Sequence, residues 1–305
     1  FMYFSAAELA DFRAAGYECR LNRIFRPDFL ERLSIRLNPA MNQPIYIIDG
    51  ARTPFLKARN PDVFIADYVH MEEEHWKRGG YARASINHSA LLDVTVVASQ
   101  HLKDWMIGQG SLKKPIEVCT INIDSTIWDP ERFDRLALRK DLGIDDATPV
   151  ILYAGRLTQQ KQPNVFAECM RQLAAKEPFV CLVAGDGPYM DFLRTFVRDH
   201  KLGFVRLLGS VENRRIQELL ALSDVFFLPS EMEGISLAIY EAMAMKCVPV
   251  GARVGGQAEL VTPDVGFLIE RGKLEIQDYV TVLQRLIADK GLRDDLGQAA
   301  RQRVQ

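Results

Sequence analysis

Short, unbroken apolar runs separated by stretches of helical spacing set the pattern of most of this chain. Val150–Tyr153, Phe179–Ala184, Val205–Leu208, Val225–Leu228 and Val248–Val250 carry almost no polar residue, which predicts strands buried on both faces. Between them the spacing predicts helices over Pro163–Ala175, Tyr189–His200, Arg214–Leu222 and Ser236–Met245, and a last apolar run covers Gly266–Ile269. Strand and helix in alternation predict a parallel sheet covered by helices on both faces. The first half repeats the pattern more weakly. Ile45–Ile48, Val63–Ala66, Val94–Val97 and Ile116–Val118 read as strands, and the polar stretch from Glu72 to Leu92 as helical. Ser5 with Glu8 forms a capping box for a helix running to about Ala15, stopped by Gly16. Phe29, Leu30, Leu33 and Leu37 predict another helix over Pro27–Leu37.

Between Trp128 and Thr148 the chain is charged, holds Pro130 and Gly143, and shows no periodic core signal. It is the expected linker, with units at 1–140 and 141–305. Two α/β units so joined leave a cleft facing the carboxyl ends of their strands, where open parallel sheets bind ligands.

Composition narrows the chemistry. Of 305 residues 48% are apolar, enough for two cores, and 38 Lys and Arg against 40 Asp and Glu leave a formal charge of −2. That balance gives no general attraction for nucleic acid. Five cysteines without a C-x-x-C pair suggest neither a disulfide framework nor a zinc ribbon and fit a reducing, cytoplasmic setting. No apolar run approaches the roughly 20 residues of a membrane-spanning helix. The chain starts at Phe1 and stops within a helical pattern, so a fragment of a longer protein is expected, its N-terminal unit incomplete and a final helix missing.

The strongest local signal runs from Leu228 to Ala242. A buried strand ends at Leu228, a loop carries Glu233, and Gly234 allows close backbone approach before a helix opens near Ser236. The free amides of Gly234, Ile235, Ser236 and Leu237 suit an anion such as a phosphate, and Glu241 reaches a diol from the helix. The plain alternative is that both glutamates are solvated charges. Gly155, Arg156 and Lys161 put two cations just past the strand that ends near Ala154, a planar fork and a point charge that together suit a diphosphate. Gly185-Asp186-Gly187-Pro188 follows the next strand, where a tight turn explains its glycines as well as a ligand does, and Pro188 argues against a dinucleotide fingerprint. Gly209, Ser210 and Val211 form a rim where main-chain groups can hold a nucleobase, and Val254–Leu260 supplies either another loop of the cleft or a simple connection.

In the first half, His70 follows a strand and is expected to face the cleft, where it can hydrogen-bond a sugar hydroxyl or a phosphate. His70 and His75 are not in the order of a zinc helix, so no metal site is expected. His88, His101 and His200 read as helix-surface residues. There is no nucleophile elbow and no phosphate loop of the ATPase type.

Taken together, Gly155-Arg156-Leu157 with Lys161, Gly185-Asp186-Gly187-Pro188, and Glu233 and Glu241 separated by seven residues resemble the retaining glycosyltransferases of GT-B fold, family 4, the "group 1" glycosyltransferases. The likeness is strong over 150–269 and weaker over 63–130, where Val96–Gln100 and Ile121–Asp124 are similar to family segments, with Ile123 in place of a usual glycine. It implies an α/β GT-B fold of two Rossmann-like domains and sugar transfer, with retention, from a UDP-, GDP- or ADP-linked donor, with no cofactor or metal. It further implies that Arg156 and Lys161 hold the diphosphate, Glu241 the ribose, Glu233 and the amides from Gly234 to Leu237 the sugar and phosphates, and His70 the sugar near its reacting carbon. The acceptor, whether glycan, lipid or small molecule, stays open, as does peripheral contact with a membrane. The rival readings are a GT-B epimerase or phosphorylase, and a non-catalytic binder or scaffold of nucleotide sugars.

Overall fold

A computed structural model describes residues 64–73, 80–110, 113–174 and 178–305, together with strand pairing at 18–19, 35–36 and 45–48. The chain divides into two compact units, 1–120 and 121–305.

The first unit carries a sheet of strands β1 (Glu18–Cys19), β2 (Ile35–Arg36), β3 (Ile45–Ile48), β4 (Phe64–Val69), β5 (Val94–Val97) and β6 (Ile116–Val118), in that order. From β3 to β6 the strands are parallel, whereas β1 with β2 and β2 with β3 are antiparallel. The four strands that the apolar runs predict are thus parallel as expected, and β1 and β2, which those runs do not predict, add an antiparallel edge. The helix expected over 27–37 fails at its end, because Ile35 is paired with Cys19 on one side and Ile45 on the other. The helix expected at 5–15 and most of that at 27–37 lie outside the described residues. Within the stretch expected to be helical at 72–92, helix α1 occupies Gly80–Asn87, and Glu73 accepts from the Tyr81 amide at 3.1 Å, satisfying one of its first-turn donors. Helix α2 (Gln100–Gly108) is capped by Ser99, whose hydroxyl accepts from the Leu102 amide at 3.1 Å. Val69, Ala82, Ile86, Val97, Leu102, Met106 and Ile116 make the core of this unit.

In the second unit helix α3 (Arg135–Asp141) precedes a sheet of β7 (Val150–Ala154), β8 (Val180–Ala184), β9 (Val205–Gly209), β10 (Val225–Leu228), β11 (Val248–Ala252) and β12 (Phe267–Ile269). All its pairings are parallel, in the order β12-β11-β10-β7-β8-β9. The helices are α4 (Pro163–Leu173), α5 (Met190–Asp199), α6 (Asn213–Leu222), α7 (Leu237–Ala244), α8 (Gln257–Leu260), α9 (Glu275–Ala288) and α10 (Lys290–Val304). Strands β7 and β10 are buried at every position, as continuous apolar runs in a doubly covered sheet must be. The chain winds from β7 outward through β8 to β9, then returns to the other side of β7 with β10. That reversal creates a crevice at the carboxyl ends of β7 and β10.

The stretch expected to be a linker at 128–148 belongs to the second unit. Trp128 is buried, and the fully buried Arg139 of α3 donates to the carbonyls of Leu222, Asp146 and Thr148 at 3.0, 2.7 and 2.9 Å and to Asp224 at 2.9 Å. Asp224 also accepts from Arg135 at 2.6 Å and from the Val150 amide at 2.7 Å. A charged segment is thereby sewn to the start of the sheet, and the boundary falls earlier in the chain than 140. Ile123 does not have a positive φ, so its turn needs no glycine; the Asp124 carboxylate organises it by accepting from the Thr126 amide and hydroxyl at 2.9 and 2.6 Å. Among the described residues no helix is long and apolar enough to cross a membrane.

Candidate functional site

The crevice is built from two loops. Past β7 the chain turns at Gly155, presents Arg156 to solvent, and makes one 3₁₀ turn at Gln159–Lys161. Past β10 it runs through Pro229 to Ser236 and opens α7. Lys161 Nζ donates to the Glu233 carboxylate, with the two side chains 19% and 8% exposed. An ion pair so far removed from water is much less screened than a surface pair. Beneath it the Tyr153 hydroxyl, fully buried on β7, donates to the Lys161 carbonyl at 3.0 Å. The Gln160 carbonyl accepts from the Glu231 amide at 2.7 Å, and its side-chain amide donates to the Met232 carbonyl at 3.0 Å.

Two glycines show why the neighbouring loops join this crevice. Gly185 has φ 146°, and a Cβ on it would lie 1.9 Å from the Gly155 carbonyl oxygen. Gly255 has φ 53°, and a Cβ there would lie 1.9 Å from the Glu233 carbonyl oxygen, while the Gly256 amide donates to the Gly234 carbonyl at 2.9 Å. Close approach of backbone to backbone, and not merely a turn, requires the missing side chain at both. The loops after β7, β8, β10 and β11 therefore form one continuous rim. Gly209, Ser210 and Val211 extend it past β9, where the Gly209 carbonyl accepts from the Gly185 amide at 2.7 Å and Ser210 is exposed.

The N-terminus of α7 opens on the same rim. The amides of Ile239 and Tyr240 both donate to the Ser236 carbonyl, at 3.1 and 3.2 Å, so those of Leu237 and Ala238 lie ahead of the first intrahelical bonds. They carry the positive end of the helix dipole. The expected set of amides needs one correction: the Ser236 amide already donates to the Oε1 of buried Gln257 at 3.3 Å and is not open to an anion. Glu241 lies on the second turn of α7, and burial pushes its carboxyl up to about 7. A carboxylate held partly dry favours a ligand that brings hydroxyl donors to it.

Each expected site residue of the second unit thus sits at the carboxyl edge of its sheet or in α7. His70 belongs to the first unit, immediately after β4, with its ring edge-on to Tyr68 at 4.6 Å and its pKa lowered by loss of solvent. His75 lies outside the described residues. His101 pairs with Glu72 at 2.8 Å, and His200 stacks on Phe196 at 4.1 Å. Among the described residues no group of three or more His, Cys, Asp or Glu side chains is placed to hold a metal ion. The sequence reading missed Tyr153, Gln160 and Gln162, whose only signal was proximity in sequence to Lys161, and it gave no role to Glu231 and Gln257, which lie within the singled-out segments 228–242 and 254–260.

The profile of the family described as "Glycosyl transferases group 1" matches residues 134–303, from the cap of α3 to the end of α10. The chain belongs to the group 1 glycosyl transferases. Over 220 residues it is 28% identical to the sulfoquinovosyl transferase SQD2 of Arabidopsis thaliana, covering 70% of this chain and 41% of that protein. Over 180 residues it is 31% identical to a GDP-mannose-dependent mannosyltransferase of Corynebacterium glutamicum that acts on a monoacylated phosphatidylinositol monomannoside, covering 56% of this chain and 46% of that one. The chain therefore spans a little under half the length of these relatives. Among solved structures, Anabaena HepE in complex with UDP superposes with a TM-score of 0.73 at 19% identity, covering 85% of this group 1 chain and 74% of that one. Staphylococcus aureus TarM, solved with UDP, gives 0.69 at 18% identity, covering 85% and 51%. At such identities the likeness speaks to the fold, which is GT-B.

Proposed function

We propose that the second unit binds a nucleoside diphosphate sugar and that the protein containing it transfers the sugar to an acceptor with retention of anomeric configuration. One observation carries this: Lys161 pairs with Glu233 at a topological switch point, with Arg156 on the same loop as Lys161 and the open end of α7 following the loop of Glu233. In the reaction the bond from the anomeric carbon to the leaving phosphate oxygen breaks, and negative charge gathers on the diphosphate. The guanidinium of Arg156, the ammonium of Lys161 and the amides of Leu237 and Ala238 lie where that charge appears, in place before the bond breaks. The acceptor hydroxyl attacks from the same face and passes its proton to the departing phosphate. Glu233 binds sugar hydroxyls, Glu241 takes the ribose diol, and the main chain at Gly209–Val211 receives the base. For His70 we propose a hydrogen bond to a sugar hydroxyl. The protein works without a metal, in the cytoplasm, where Cys169, Cys181, Cys247 and exposed Cys119 stay free thiols, as they are here.

UDP- and GDP-linked sugars are the first donors to try, because HepE and TarM were solved with UDP and the C. glutamicum relative is named for GDP-mannose. A panel of UDP-, GDP- and ADP-sugars is read first by thermal shift and then by nucleotide release with candidate glycan, lipid and small-molecule acceptors. At least one donor is expected to raise the melting temperature, and Arg156→Ala to lower turnover at least about tenfold with unchanged folding, since Arg156 is exposed. A chain that responds to no donor, or an Arg156→Ala variant with full turnover, contradicts the proposal. A shift without any transfer would favour a binder, and release driven by phosphate alone a phosphorylase.

A further inference from the structure

The 3₁₀ turn that delivers Lys161 ends at Gln162, whose backbone is left-handed with φ 51° and ψ 55°. That conformation is unfavourable for any residue with a Cβ, and glycine is the residue that adopts it freely. Strain of this kind persists only where surrounding bonds hold it. Here they come from Gln162 itself. Its backbone amide donates to the Gln159 carbonyl at 3.0 Å, and its side-chain amide donates to the same carbonyl at 2.9 Å and to the Glu231 carboxylate at 3.1 Å. Gln160, on the other side of Lys161, grips the backbone of Glu231 and Met232. Both neighbours of Lys161 are thus fastened to the two residues that immediately precede Glu233.

Resting on the function proposed above, we infer that Gln160 and Gln162 are positioning residues that lock the β7 turn to the β10 loop, so that Lys161 and Glu233 stand correctly placed before the donor arrives. Neither glutamine needs to touch the substrate. The link from Gln162 to Glu231 is made by side chains, whereas the strain lies in the backbone, so stability and binding separate on substitution at 162. Glycine at 162 relieves the strain and loses the lock.

The test uses the 305-residue chain and the nucleoside diphosphate among UDP, GDP and ADP that binds it most tightly. Gln162→Gly is expected to melt no lower than wild type yet to bind the nucleotide about fivefold more weakly, the scale of one ordinary, water-exposed hydrogen bond lost from a preorganised site. Glu231→Ala should weaken binding similarly, and Glu231→Gln, which removes the charge but keeps an acceptor, should not. The Gln162→Gly, Glu231→Ala double variant should be no weaker than either single one, because both break the same link. Gln160→Ala should add a separate loss. Wild-type affinity in Gln162→Gly, additive losses in the double variant, or affinity that falls only in step with melting temperature would overturn the positioning role. If the wild-type chain binds none of the three nucleotides, the donor-site assignment falls and the positioning role with it.

Discussion

Replacing Glu241 by glutamine separates what the site does for the fold from what it does for the ligand. Its carboxyl is moved from the ordinary 4.5 to about 7 by burial on α7. Each tenfold displacement of a protonation equilibrium is worth about 1.4 kcal/mol, so ionised Glu241 costs the folded chain about 3 kcal/mol, or nearer 2 after allowing for the water that still reaches it. Below pH 4.5 the carboxyl is protonated in folded and unfolded chains alike, and this cost is absent. As pH rises through 4.5 the unfolded chain ionises first, and stability falls until about pH 7, where the folded group ionises as well. Glutamine is neutral throughout. Urea unfolding should therefore find Glu241→Gln more stable than wild type by about 2–3 kcal/mol at pH 8 and close to equal at pH 4.5. The same substitution should weaken nucleotide binding at pH 8 by roughly tenfold, as a charge-assisted bond to a diol is replaced by a neutral one. A variant less stable than wild type at pH 8, or a difference that does not change with pH, would refute the claim that this helix carries a carboxylate held dry for a ligand.

Further consequences follow from the packing. Gly255→Ala should lower stability by about 1–3 kcal/mol and abolish measurable nucleotide binding, because its methyl would strike the Glu233 carbonyl at a left-handed backbone position; unchanged binding by calorimetry would show that the β11 loop does not shape the site. Arg139→Met should cost about 3–5 kcal/mol in urea unfolding by stripping partners from Asp224 and from the carbonyls of Leu222, Asp145, Asp146 and Thr148. Nucleotide affinity, measured where the variant is still folded, should remain within about threefold of wild type because Arg139 lies at the opposite end of β7 from Gly155. Wild-type affinity for a nucleoside diphosphate sugar, whose phosphates stay fully ionised over this range, should rise with pH up to about 7 as Glu241 ionises, and this dependence should vanish in Glu241→Gln.

Much of the second unit was legible because buried parallel strands leave a signature that survives in a single sequence. Val225–Leu228 was placed to the residue, and β7 and β8 within one at each end, since nothing but continuous apolar side chains can fill a strand covered on both faces. The cations and glutamates of the crevice stood out for a related reason, as charges directly beyond such strands. What escaped notice depends on partners distant in the chain. Arg139 looked like linker charge because Asp224, 85 residues on, is what allows it to be buried. Gln160 and Gln162 carry no periodic or motif signal, and their partners are about 70 residues away. In the first unit, apolar spacing that suits a helix at 29–37 gave way at Ile35 to strand pairing on both sides, a tertiary choice that local spacing does not encode.

The most direct test of the account is a crystal structure of this chain with a nucleoside diphosphate bound. The pyrophosphate should lie about 3 Å from Lys161 Nζ, the Arg156 guanidinium and the amides of Leu237 and Ala238, with Glu241 on the ribose hydroxyls. A nucleotide bound elsewhere, or one seated there with both cations turned to solvent, would contradict it.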